Sequence, residues 1–330
     1  MTMASDAAER GPRLTIPRAQ LALNPIQWIN IKENPDDPSS DDLWLFADPA
    51  FRADYPAVLG KVKAGGFDTV MMQVLDTQTL QDYERMVREA GLSLAPGYCQ
   101  VGLPEDHGHE FAPGSAEWVR WFDGIRRAAE ESNYFGLETV FLAPEMSWDG
   151  AARTVTRSAV GAAFDQARLD RVVEVLAEAA RILTDEGVRP GLHNHVGTWV
   201  ETEYEIDYVL DHIDGALLGA SFDVGHLAWA GVDPVTMLAK HRDRLVDVHV
   251  KDLDLAVAAA SRAQPTDYRS TVDRGLFLEP GLGGLDLDGC LGALPDGFGG
   301  WIIIEVDRAS MDPDESVHVS RRWVERVFPA

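Results

Sequence analysis

Residues 191–202 read GLHNHVGTWVET, with two histidines two positions apart behind a short apolar lead-in. In a β-strand alternate residues share a face, so His193 and His195 point together and Asn194 points away. Two imidazoles side by side suit a metal or a proton relay, or they pack as hydrogen-bonded core histidines. The stretch alone does not choose, and the pattern around it does. Similar apolar runs recur along the chain: LALNPIQW (21–28), TVMMQVL (69–75), SLAPGYC (93–99), TVFLAPE (139–145), PGLHNH (190–195), LGASFDVGH (218–226), LVDVHVKD (245–252) and WIIIEVD (301–307). Helical patterns separate them. In FDQARLDRVVEVLAEAARILTDEG (164–187), Leu169, Val172, Val173, Leu176, Ala180 and Leu183 follow the spacing of one helix face, and Gly187 stands just beyond as a stop. Segments 79–91, 115–132, 202–213, 233–244 and 314–327 read as further helices.

Strand alternating with helix predicts a parallel sheet with crossover helices, and eight such units predict an α/β fold of the closed (β/α)₈ TIM-barrel type. The loops agree. Helix-to-strand connections are tight (64–68, 90–93, 187–190, 241–244), whereas strand-to-helix connections are long, notably 29–50 and 253–284. In such barrels the loops after the strands form the functional face. No GxGxxG follows the first strand, which argues against an open doubly wound sheet. Residues 20–330 are therefore read as a single catalytic barrel domain, with residues 1–19 a disordered tail.

Acidic residues outnumber basic ones 54 to 29, a formal charge of -25, which repels nucleic acid and anionic membranes as partners. Two cysteines, Cys99 and Cys290, make neither a disulfide scaffold nor a thiolate metal site. With no membrane-length apolar run and no signal-peptide core in MTMASDAAERGPR, a cytoplasmic protein is expected.

Residues able to bind a metal or move a proton fall at the carboxyl ends of the later runs: Glu145, His193 and His195, Asp223 and His226, His249 and Lys251, Glu305 and Asp307. Such groups are costly to bury unless paired or metal-bound, and five successive strands ending this way point to one site. Each has a plainer reading as well: Asp223 as a helix cap, His249 as a satisfied core histidine, Glu145 and Lys251 as a rim salt bridge. A nitrogen-and-oxygen donor set without thiolates suits Mn²⁺ or Co²⁺ first, with Fe²⁺, Zn²⁺ or Mg²⁺ also compatible.

The blocks HNHVGTWVET with EID, FDVGHLAWAGVDP, VHVKDLD, and RGLFLEPGLGGLDLDG followed by GWIIIEVD resemble, in order and spacing, the xylose-isomerase-like TIM-barrel superfamily of sugar phosphate isomerases and epimerases. Within it the chain is most similar to the inosose dehydratase family, over roughly residues 20 to 328. The resemblance implies one metal ligand from each of the last four strands, which are His193, Asp223, His249 and Glu305 here. Many relatives carry glutamate at the position of His193, and Glu145 is the alternative ligand. The first loop, 24–49, departs from the family pattern in length and composition. The resemblance also implies metal-dependent removal of a proton beside the carbonyl of a small-molecule keto-sugar or keto-polyol, as a lyase, isomerase or epimerase. Glu145, His195 and Lys251 would share the roles of acid, base and oxyanion partner. A C-glycoside deglycosidase acting on 3-keto glycosides and a non-catalytic sugar-binding subunit are the alternatives. A homo-oligomer and a role as an accessory subunit both stay open. Trp148, Trp199 and Trp229 follow strands and offer faces to a sugar ring or to the core. A neutral substrate is expected rather than a phosphate ester, for want of a glycine-rich phosphate cradle. The arginines after the seventh strand, Arg262, Arg269 and Arg274, are the feature that argues against this.

Overall fold

The computed structural model describes residues 16–29, 49–75, 78–146 and 153–328. Residues 1–15 of the expected tail, Trp148 and most of the long first loop lie outside these. Among the described residues, parallel strands follow one another around a closed barrel: β1 Leu21–Leu23, β2 Thr69–Met71, β3 in two pieces, Ser93–Ala95 and Tyr98–Val101, β4 Thr139–Pro144, β5 Arg189–Leu192, β6 Gly219–Ala220, β7 Val248–Val250 and β8 Ile302–Ile304. Closure is set by β1 pairing β8 in the register Leu21↔Ile302 to Leu23↔Ile304. Between β6 and β7 the ladder is sparse, held by Val246 N–H to the Ala220 carbonyl at 2.8 Å and His249 N–H to the Phe222 carbonyl at 2.9 Å.

Three apolar runs are shorter as strands than their hydropathy suggests, each for a local reason. NPIQW leaves the ladder because Pro25 has no N–H to give; Asn24 instead caps a 3₁₀ turn over Pro25–Trp28 by accepting from Ile26 N–H. SLAPGYC breaks at Pro96–Gly97, so its first piece pairs with β2 and its second with β4. A side chain at Gly97 would meet Met72 at 2.9 Å, so the backbones pass closely at this seam. LGASFDVGH is strand only at Gly219–Ala220, because Asp223 then caps a short helix, Val224–Trp229.

The long helix Gln166–Asp185 buries Leu169, Val172, Leu176, Ala180 and Leu183 as its spacing predicts, with Val175, Ala179 and Ile182 in addition. Segment 115–132 divides at the buried Phe122 into Ala116–Trp121 and Asp123–Phe135. Ala22, Met71, Ala95, Phe141 and Ile303 fill the barrel interior as one apolar cluster. A second small core roofs the mouth, where Leu253, Ala258, Tyr268, Val272, Leu276 and Phe277 pack with Ala159, Val196 and Trp229. Its base is a two-stranded hairpin, Asp252–Leu253 with Phe277–Leu278. Among the described residues no helix is long and apolar enough to cross a membrane, and both cysteines are buried and free.

Candidate active site at the carboxyl ends of the strands

Each late strand delivers two side chains to the barrel mouth because residues two apart on a strand share a face. β5 leads into His193 and His195, β7 holds His249 and leads into Lys251, and β8 leads into Glu305 and Asp307. Asp223 and His226 come from the cap and first turn of the helix after β6. Ligand atoms of His193, Asp223 and His249 all lie within 4.8 Å of one another, and so do those of His195, His226 and Asp307. Glu305 joins the first group, its Oε2 lying against His249 Nδ1. The structure thus brings His193, His195, Asp223, His249, Lys251 and Glu305 together.

The first group is incompletely satisfied. Asp223 Oδ2, both ring nitrogens of His249 and Glu305 Oε2 are buried without a well-formed hydrogen bond. Glu305 Oε2 and His249 Nδ1 abut each other, Asp223 Oδ2 lies 2.9 Å from the Lys251 ammonium, and His249 Nε2 is left without a partner among the described residues. A buried polar atom without a hydrogen bond costs about 1–3 kcal/mol, so the convergence of these donors around His249 marks a place for a cation. The donors are imidazole and carboxylate, which suit a divalent ion of the first transition row or Mg²⁺. Asp223 is a helix cap as well: its Oδ1 accepts from His226 N–H at 3.0 Å while Oδ2 faces the cluster. His193 Nδ1 lies 3.2 Å from the Ser221 carbonyl, which makes Nδ1 the protonated nitrogen and leaves Nε2 a lone pair. Aromatic rings hold the imidazoles from below, with Phe141 4.3 Å from His249 and Tyr98 edge-on to His193 at 5.4 Å.

Burial sets the protonation states. It pushes His249 down to about 3 and His195 down to about 4, with Lys251 adding to both, and it holds His193 and His226 well below the usual range. Burial raises Glu305, and it lifts Asp307 to about 6 against the pull of Lys251. On Lys251 burial acts downward, but Asp223, Asp307 and Glu305 outweigh it and the amine is held above its ordinary value. The site at neutral pH therefore contains neutral imidazoles and one ammonium. His195 is the least buried imidazole of the site, its Nδ1 2.8 Å from the Val196 carbonyl, which leaves its Nε2 a lone pair to accept a proton.

Buried partners fix the loop that carries His195. Glu201 accepts from Gly197 N–H at 2.8 Å, Gly161 N–H at 2.8 Å and Ala159 N–H at 3.1 Å, the last from a non-glycine residue at φ 65. Arg153 pairs with Glu205 at 2.6 and 2.9 Å, tying the segment after β4 to the turn after β5.

Glu145 stands apart. It pairs with His107 at 2.7 Å, on the wall of a separate cavity of about 200 Å³ between the barrel and helix Gln166–Asp185. Trp199 is held between the guanidiniums of Arg153 and Arg168, and the fully buried Trp229 donates to Ser261. Both indoles are thus committed to protein partners. Sequence reasoning took His226 as a support for Asp223 and not as a ligand, named Asp307 without giving it a role, and overlooked Tyr268, whose hydroxyl is 3.3 Å from Asp307 Oδ2. The signal for Asp307 was present, since it repeats behind Glu305 the two-residue spacing of His193 and His195. Tyr268 reaches the site from the roof, and no local pattern announces it.

Residues 59–327 match the family described as xylose isomerase-like TIM barrel. The rhizopine catabolism protein MocC of Rhizobium meliloti is 36% identical over 142 residues, 43% of this chain and 42% of MocC. An inosose dehydratase of Geobacillus kaustophilus is 34% identical over 161 residues, 48% of this chain and 52% of the relative. The chain thus spans about half the length of the curated relatives it matches. Among solved structures, one described as the IOLI protein with a binding zinc atom superimposes at a TM-score of 0.60 and 14% identity, covering 94% of this chain and 98% of that one.

Proposed function

We propose, from the premise that the chain belongs to the xylose isomerase-like TIM barrel family, that it is a divalent-metal-dependent enzyme removing the proton beside the carbonyl of a neutral keto-sugar or keto-polyol. Dehydration of an inosose-like substrate is the outcome the sequence relatives favour. The observation that carries this reading is the convergence of ligand atoms from His193, Asp223 and His249, joined by Glu305, around a buried His249 that makes no well-formed hydrogen bond. Together these residues would hold the ion. When bound, it would supply Lewis acidity to the carbonyl next to the C–H bond that breaks. His195, neutral and the least buried of these imidazoles, is the side chain placed to take the proton. Lys251, kept charged by its carboxylates, supplies positive potential beside the place where negative charge develops on oxygen, while its N–H groups go to Asp307, Asp223 and His226. Asp307 and Tyr268 hold Lys251 and the roof in place from above. Arginines near the mouth have partners of their own, which supports a neutral substrate. Arg262 donates to the carbonyls of Ala228 and Trp229, while Arg269 and Arg308 both pair with Asp273.

The test is turnover of inososes, ketohexoses and 3-keto glycosides with added Mn²⁺, Co²⁺, Zn²⁺ or Mg²⁺, read by mass spectrometry. Loss of water supports the dehydratase reading. An isomer of unchanged mass supports an epimerase or isomerase, and release of an aglycone a C-glycoside deglycosidase. Tight sugar binding without turnover under every metal would sink the enzymatic reading in favour of a binding subunit.

A further inference from the structure

Two groups of metal-competent side chains lie side by side at the barrel mouth, with Lys251 lodged where they meet. His195, His226 and Asp307 match His193, Asp223 and His249 in residue type and in convergence, all within 4.8 Å of one another. By donor chemistry the second group is as able to take an ion as the first. Its space is filled from within the chain. Lys251 Nζ lies 2.7 Å from Asp307 Oδ1, 3.2 Å from His226 Nε2, 2.9 Å from Asp223 Oδ2 and 3.6 Å from Glu305 Oε1. The Phe277 ring lies beside it, its centroid 5.2 Å from Nζ.

The fold has made room for this side chain. A Cβ at residue 225 would meet Lys251 Cβ, Cγ and Cδ at 2.8 to 2.9 Å, so Gly225 leaves the first turn of the helix bare where the lysine stem passes. Lysine is seldom fully buried unless paired, and here it is 1% exposed. Asp223 and Glu305 each lie within 4 Å of both Lys251 and His249, so each carboxylate could face an ion held by the first group on one side and the ammonium on the other.

We infer that Lys251 is a built-in cation standing where a second metal ion would otherwise bind, so that a mouth with donors for two ions accepts one. The inference rests on the metal reading above. It gives Lys251 a role that a simple internal salt bridge lacks, that of setting the number of ions.

The experiment counts ions. Wild type and K251A are stripped with chelator and titrated separately with Mn²⁺ and Zn²⁺. Native mass spectrometry reads the stoichiometry, and Mn²⁺ electron paramagnetic resonance reads whether ions are coupled. K251A is expected to bind one ion more than wild type, with an isolated-ion spectrum in wild type and a spin-coupled pair in the variant. Equal numbers in the two proteins, or two ions in wild type, would overturn the inference. Should K251A not fold without metal, H226N, which retains the lysine, decides. Unchanged stoichiometry and affinity support the inference, and loss of an ion overturns it by placing metal in the second group. Failure of the metal reading looks different: wild type binds no ion at all, while the difference between it and K251A still reports on the lysine.

Discussion

The His193–Asp223–His249–Glu305 group and the His195–His226–Asp307 group share residue types, depth and strand ends, and they differ in what lies between the side chains. In the first, Lys251 meets Asp223 at 2.9 Å, but the carboxylate and imidazole atoms around His249 form no well-made hydrogen bond with one another and His249 Nε2 has no partner among the described residues. In the second, a lysine ammonium and a tyrosine hydroxyl reach Asp307, and the lysine also meets His226. Burial penalises charge in both. The second group offsets that penalty internally, whereas the first is left to a ligand from solution. The lesson is that partnerless atoms, more than ligand-type residues, tell a binding site from a buried polar network.

The harshest way to break this contrast is to empty the second group. Lys251→Met leaves Asp223, Asp307 and Glu305 buried together without their counter-charge, and removing one partner of such a set costs about 3–5 kcal/mol. Urea denaturation of the metal-free variant should show a loss of that order, partly recovered by a divalent ion. An unchanged midpoint would mean that Lys251 does not balance the cluster.

Emptying the first group should act on function instead. Substituting even an indirect partner of a metal ligand costs about 10–100-fold in affinity or activity, so Glu305→Gln should lower kcat/KM by at least about 100-fold. The melting temperature of the metal-free protein should hold or rise, because burial already disfavours the charged form. Wild-type kinetics in this variant would remove Glu305 from the site.

Asp247, at the opposite end of β7, supplies a control in which a buried carboxylate has no cation. Burial lifts it to about 6, although its Oδ1 accepts the Trp301 N–H at 2.7 Å. The native state therefore holds a proton that the unfolded chain releases near its ordinary carboxylate value of about 4. Native stability falls as pH rises from about 4 to about 6, since the folded form binds more protons in that window. Asp247→Asn should erase this slope, leaving the variant equal to wild type below pH 4 and about 3 kcal/mol more stable above pH 7. Parallel pH profiles for the two proteins would show the carboxylate to be compensated after all.

Glu145 should matter least. Half-exposed pairs such as Glu145 with His107 contribute little, and Glu145→Gln should change kcat/KM by less than about threefold, in line with that small interaction. A loss as deep as that of Glu305→Gln would move the reacting centre towards the outer cavity.

Much of this was legible before any coordinates. Periodicity placed helix Gln166–Asp185 to within two residues at each end. Strand-end position drew out Glu145, His193, His195, Asp223, His226, His249, Lys251, Glu305 and Asp307, because a barrel makes the carboxyl ends of distant strands converge. From these the family resemblance took His193, Asp223, His249 and Glu305 as ligands. Strand lengths were less legible. Hydropathy does not register that Pro25 and Pro96 withdraw N–H donors, or that an aspartate at a strand end starts a helix. Glu145 sits at a strand end as the others do, and nothing in the chain order says that its side chain meets His107 outside the cluster. The role of Lys251 was hidden for a related reason. Whether a lysine points at solvent or into a ring of carboxylates depends on Asp223 and Asp307, which lie 28 residues before it and 56 after it.

Asp223 joins fold and chemistry in a single carboxylate, one oxygen starting a helix and the other turned towards the cluster. The position is therefore closed to compromise under mutation. Asparagine keeps the cap but removes the charge, glutamate keeps the charge but moves it off the cap, and a stabilising change elsewhere in the barrel offsets only the loss of the cap. In a library of random variants, position 223 should tolerate aspartate alone wherever activity is selected. Selection for soluble expression alone should also admit asparagine, serine and threonine, and the gap between the two lists measures how much of the residue belongs to function.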